Sequence, residues 1–102
     1  MTGYKAARDR NRPPTHPGTA MDDILGDLHV SKTEIAAMLG ISRQQLHNLL
    51  SARRPLSAEI AVRVAKLLGG SPESWLRMQA DHDAWHAARA VDVSGIKRLE
   101  PV

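Results

Sequence analysis

The chain has 102 residues, 14 Lys plus Arg against 11 Asp plus Glu, a net charge of +3, 42% hydrophobic content and no cysteine. That length holds one small domain rather than two, and the apolar content argues against wholesale disorder. No apolar run approaches the roughly 20 residues that cross a bilayer, no secretory leader is expected, and without cysteine there are no disulfides or thiolate metal sites, which suits a reducing cytoplasm.

Residues 1–16 read as a basic flexible arm. Lys5, Arg8, Arg10 and Arg12 stand there with almost no large apolar residue, so the segment cannot bury enough surface to offset its ordering entropy. One helical domain is expected over 17–91. Its first helix carries Met21, Ile24, Leu25 and Leu28 at helical spacing. Ser31-Lys32-Thr33-Glu34 then forms a capping box. The second helix carries Ile35, Met38 and Leu39 and stops at Gly40, which takes up the left-handed C-cap conformation. Only Gly40-Ile41-Ser42 precedes the third helix, and Ser42 caps it. Leu46, Leu49 and Leu50 fall on one side of that helix, Gln44, His47, Asn48 and Ser51 on the other. Pro55 disfavours helix at Arg54, so Ala52-Arg53-Arg54-Pro55 is a loop. Ser57 opens a fourth helix with Ile60, Ala61, Val64, Ala65, Leu67 and Leu68 on its stripe, and Gly69-Gly70 ends it. Ser71-Pro72 opens a fifth, with Pro72 suited to the first helical position. This last helix is expected to span 71–91, leaving 92–102 as a tail. There Ile96 and Leu99 either dock on a partner subunit or stay loose. No strand-like alternation precedes Val91, so the fold class expected is all-α with five helices.

Helices two and three, with Ala36, Gly40 and Leu46 at fixed offsets, form a helix-turn-helix. Ala36 is small where the next helix crosses, and Ile41 and Leu46 fill the space beneath the turn. Such a pair also serves as plain packing, so the exposed face discriminates. An inert helix carries Glu and Lys at i,i+4 spacing. Here no acid occurs from Ile35 to Ala58, while Arg43, Arg53 and Arg54 all fall in that window. Gln and Asn pair with adenine and Arg with guanine, which points to double-stranded DNA. Arg43, Gln44 and His47 are assigned to base edges, with Asn48 and Ser51 further along the face; a plain surface role for His47 stays open. Ser42 and Gln45 at the flanks, and Lys32 and Thr33 at the start of the second helix, are assigned to phosphate. Arg53 and Arg54 clamp phosphate from the loop.

On the fifth helix Leu76, Ala80, Ala84, Ala87, Ala88 and Val91 form an arc that Met78 and Trp85 extend. It is wider than the roughly 100° stripe a helix needs for its own core. A homodimer interface is therefore expected at Trp75, Met78, Ala84, Trp85, Ala88 and Val91, the alternative being a helix buried in its own domain. A dimer presents two recognition helices to an inverted repeat with half-sites roughly 34 Å apart. His82-Asp83-x-x-His86 has the spacing of a zinc-hydrolase motif, but its acid is short and no third ligand is evident. Both histidines are expected on a polar side with Gln79, Asp83 and Arg89. There is no cysteine, no Gly-x-Ser-x-Gly and no Gly-rich phosphate loop, so no enzyme, metal or cofactor is expected.

His16-Pro17-Gly18, the Ser31–Leu50 helix-turn-helix, the Ala52-Arg53-Arg54 loop and Ser71-Pro72-Glu73-Ser74-Trp75-Leu76 together resemble HigA-type antitoxins. These are also called VapI or addiction-module antidote proteins, within the lambda-repressor-like XRE class. The similarity covers about residues 16 to 100 and includes Val91-Asp92-Val93-Ser94. Ser-Pro-x-x-Trp-Leu after Gly69-Gly70 is its most specific part. The resemblance implies a lambda-repressor-like domain that binds, as a homodimer, a palindromic operator in its own promoter. It also implies neutralisation of a HigB-type, RelE-like toxin that cleaves mRNA on the ribosome. The N-terminal arm is longer and more basic than the family pattern. A stand-alone repressor without a toxin, and an interaction module that has lost DNA binding, are the alternatives.

Overall fold

In a computed structural model, residues 11–101 are described; the basic arm residues Lys5, Arg8 and Arg10 lie outside that range. Each helix opens on a side chain that accepts a backbone N–H of the first turn, satisfying a donor the helix itself leaves unpaired. His16 opens α1 (Pro17–Leu28), Ser31 opens α2 (Lys32–Leu39), Ser42 opens α3 (Arg43–Leu50), Ser57 opens α4 (Ala58–Leu68) and Ser71 opens α5 (Pro72–Ala90). Among the described residues there is no strand. The four serine caps were legible in the sequence. His16 was not, since imidazole is outside the usual set of caps.

His16 was assigned to the arm, yet it is only 5% exposed, and its Nδ1 accepts the Gly18 amide at 2.9 Å. It belongs to the helical body. Gly18 is required here. A methyl group on it would fall on the Leu49 carbonyl, so α1 starts hard against the end of α3. At the other end of the turn, Gly40 sits at φ +71°, and the Ile41 amide closes back on the Ala36 carbonyl at 3.0 Å. The Arg63 guanidinium then donates to the Leu39 and Gly40 carbonyls at 2.9 and 3.0 Å, capping α2 from α4.

The core gathers Met21 and Leu25 from α1, Ile35, Ala36 and Leu39 from α2, and Leu46, Leu49 and Leu50 from α3. Leu56, Ala61, Val64 and Trp75 complete it. Met38, grouped with the apolar stripe of α2, is instead 59% exposed. Packing runs α4 on α5, α1 on α3 and α5, and α2 on α3 and α4.

The fifth helix departs from expectation in two ways. Trp75 is 8% exposed and donates its indole N–H to the Gly69 carbonyl at 2.8 Å. It fills the protomer's own core and has almost no surface left for a second subunit, which corrects its place in the expected interface. The polar side is also turned inward at Gln79, which is 7% exposed. Its carboxamide is needed there by the Leu56 amide, a partner 23 residues away that no helical wheel reveals. Met78 and Trp85 are half-buried, and Ala80, Ala84, Ala87, Ala88 and Val91 are exposed. From His86 to Pro101 every residue is exposed. Among the described residues no helix is long and apolar enough to cross a membrane.

Candidate nucleic-acid interface

Local chemistry sets the outer face of α3. Ser42 accepts the Gln45 amide at 3.0 Å, and the Gln45 Oε1 accepts the Ser42 amide at 2.8 Å. This reciprocal box fixes the entry of the helix. It also commits the Gln45 carbonyl oxygen, leaving its amide group for any outward contact. With the entry fixed, Leu46, Leu49 and Leu50 turn into the core, and Arg43, Gln44, Gln45 and His47 stand exposed.

The structure brings the expected residues together in two neighbouring hollows. Lys32 from α2 joins Arg43, Gln44 and His47 from α3 around one of about 510 Å³. Gln45, Asn48 and Arg54 line another of about 320 Å³. Thr33 is exposed beside Lys32 at the start of α2. The Gln44 amide group donates to the Asn48 Oδ1 at 3.0 Å. That bond orients both amides, and contact with a base edge would exchange it for a new one.

Ser51 is exposed, as its place on the wheel predicts. Its hydroxyl donates back to the His47 carbonyl at 2.8 Å, closing the last turn of α3. Such a backward bond is a common use of serine on a helix.

The loop after α3 is tightly wound. The Arg53 and Arg54 amides both donate to the Asn48 carbonyl, at 2.9 and 3.1 Å, and Ala52 sits in the left-handed region at φ +62°. Both arginines are exposed. The acids nearest in sequence are committed elsewhere: Glu34 accepts the Ser31 hydroxyl, and Glu59 pairs with Arg63 at 3.0 Å. The surface of α2, α3 and this loop therefore presents cations and amides, the mixture that binds phosphate oxygens and base edges.

The His82–His86 pair lies elsewhere, on α5. Their ring centroids are 4.4 Å apart, and the His82 Nδ1 lies 3.2 Å from the Asp83 carboxylate. Burial pushes the Asp83 carboxyl up, but hydrogen bonds from His82 and Gln79 outweigh it and hold the group below its ordinary value. Among the described residues no three His, Asp or Glu side chains are arranged to hold a metal ion. Beyond Trp85, Arg89 stacks its guanidinium over the indole, 3.6 Å from the ring centroid.

Residues 24–76 match the family described as Helix-turn-helix. An uncharacterised HTH-type transcriptional regulator of Escherichia coli is 32% identical over 83 residues, which is 81% of this chain and 88% of that one. An addiction module antidote protein of a HigA family from Coxiella burnetii superposes with a TM-score of 0.78 at 30% identity, covering 89% of this chain and 100% of that one. A Pseudomonas aeruginosa protein in complex with its operator DNA superposes with a TM-score of 0.73 at 25% identity, covering 87% and 99%.

Proposed function

The chain belongs to the helix-turn-helix family, among its HigA-type addiction-module antidote proteins, and from that premise we propose that it is a DNA-binding antitoxin. It binds an inverted-repeat operator in its own promoter as a homodimer, represses its own operon, and neutralises a HigB/RelE-like mRNA-cleaving toxin in the cytoplasm. The observation that carries the DNA-binding part is the grouping of Lys32, Arg43, Gln44 and His47 around one hollow, with Arg54 lining its neighbour. Arg43, Gln44 and His47 read base edges, with Asn48 further along. Lys32, Thr33, Ser42, Gln45, Arg53 and Arg54 meet phosphate.

The dimer surface is the exposed arc of α5 at Ala84 and Ala88, with Val91 just past the end of the helix and Met78 and Trp85 at its border. Small side chains there permit close approach of a second helix, and Val91 supplies apolar area. A second reading, a repressor with no toxin partner, draws on the Escherichia coli relative, whose name is that of a transcriptional regulator alone.

Two measurements separate these readings. A shift assay on the chain's own upstream DNA tests operator binding, and absence of a shift at low salt contradicts it. Co-expression with the adjacent reading frame tests the antitoxin. A small basic RelE-like product that co-purifies, and whose growth arrest this chain relieves, supports it. Operator binding with no such neighbour leaves the repressor.

A further inference from the structure

The loop carrying Arg53 and Arg54 is tied down at both ends. At its start, the Ala52 amide donates to the Leu49 carbonyl at 3.0 Å, and the two arginine amides converge on Asn48. At its far end, the buried Leu56 amide donates to the Gln79 Oε1 at 2.7 Å. The Gln79 amide group donates onward to Asp83 at 2.8 Å. His82 lies beside that carboxylate and meets the His16 ring edge-on, with centroids 4.9 Å apart. The His16 Nδ1 itself accepts the Gly18 amide at 2.9 Å, which places the far end of this chain of contacts at the start of α1.

A buried carboxamide is costly unless paired. At this position on α5 a leucine or methionine would fill the same space. What Gln79 adds is an acceptor for the backbone of the arginine loop. We infer that Gln79 is a positioning residue of the nucleic-acid interface, holding the Arg53–Arg54 loop at a set height beside α3 and tying it to α5. The inference rests on the DNA-binding reading and extends it. The helix that pairs the protomers also sets the phosphate contacts, so a partner that shifts α5 alters DNA affinity without touching α3.

Binding to a mixed-sequence duplex, followed across a salt series, reads the phosphate contacts apart from base recognition. Gln79→Met keeps the volume and removes the acceptor. Gln79→Leu removes the acceptor with a second apolar side chain. Val64→Ala opens a void in the core on α4 and serves as the destabilised control. Gln79→Met and Gln79→Leu are expected to flatten the plot of log affinity against log salt by about 1 and to weaken binding several-fold. Val64→Ala is expected to lower the melting midpoint while keeping the wild-type slope. A wild-type slope in both loop variants, or the same flattening in Val64→Ala, overturns the inference. If Gln79→Met does not fold, Gln79→Leu decides on the same slope. A wild-type chain that binds no duplex sinks the DNA-binding reading and this inference with it, an outcome distinct from unchanged variants of a chain that binds.

Discussion

Helices α3 and α5 each have a polar and an apolar side, and they turn them in opposite directions. On α3 the leucines point inward and Arg43, Gln44 and His47 outward. On α5, past the buried Trp75, the inward positions include Gln79 and His82, while Ala80, Ala84, Ala87 and Ala88 face out. The first pattern is that of a helix whose core is its own domain and whose outer face meets a polar ligand. The second leaves apolar surface uncovered and continues into a tail where Leu99 is 91% exposed. Burial follows hydrophobicity only where the partner is present in the same chain. Gln79 is inside because it accepts the Leu56 amide, and the exposed alanines of α5 are the surface proposed for a second subunit.

The largest expected effect bears on the α3 side. Leu46 is fully buried beneath the recognition face, so Leu46→Ala is expected to cost about 2–5 kcal/mol in a denaturant titration. A cost below 1 kcal/mol would mean that the leucines of α3 do not anchor that face. Next comes α5. Two carboxylates introduced by Ala84→Glu with Ala88→Glu are expected to convert a dimer to a monomer in sedimentation, with the helical signal and melting of the monomer unchanged. A dimer that survives both carboxylates moves the interface off this arc.

Acidification tests the junction between the two regions. Burial in the core, with His82 beside it, holds His16 below its ordinary value near 6.5, against the opposing pull of Asp83 and the Arg54 carbonyl. The neutral ring is therefore favoured by folding. Its contribution is whole above about pH 6.5 and fades as pH falls through the lowered folded value. Protonation at Nδ1 removes the acceptor for Gly18. Stability and DNA affinity are expected to decline together in that window, and His16→Asn to flatten the decline. The smallest effect concerns Ala52, at φ +62°. Ala52→Gly is expected to stabilise by up to about 1 kcal/mol, read as a raised melting midpoint.

The helix-turn-helix was legible because its determinants are local. Ser42 caps α3 as its residue type predicts, Gly40 announces its own backbone angle, and the leucines of α3 keep a helical period; the reciprocal bond from Gln45 was not read from the sequence. The supports of the arginine loop were not, because Gln79 and Leu56 are 23 residues apart and meet only after α4 and α5 have packed. Ser51 is outward as its place on the wheel predicts, and the bond of its hydroxyl to the turn beneath is what the wheel does not show. Trp75 was legible as a large apolar residue, and only the packing of α5 on α4 decided which surface it fills.

The division of labour on the outer face is the central claim, and two substitutions measured on operator and on mixed-sequence DNA test it. Gln44→Ala is expected to narrow the gap between the two DNAs by about 1–3 kcal/mol. Arg54→Ala is expected to weaken both about equally and to lower the salt slope by about 1. If the two variants lose the same affinity on both DNAs with the same slope, base reading and phosphate clamping are not separated on this surface.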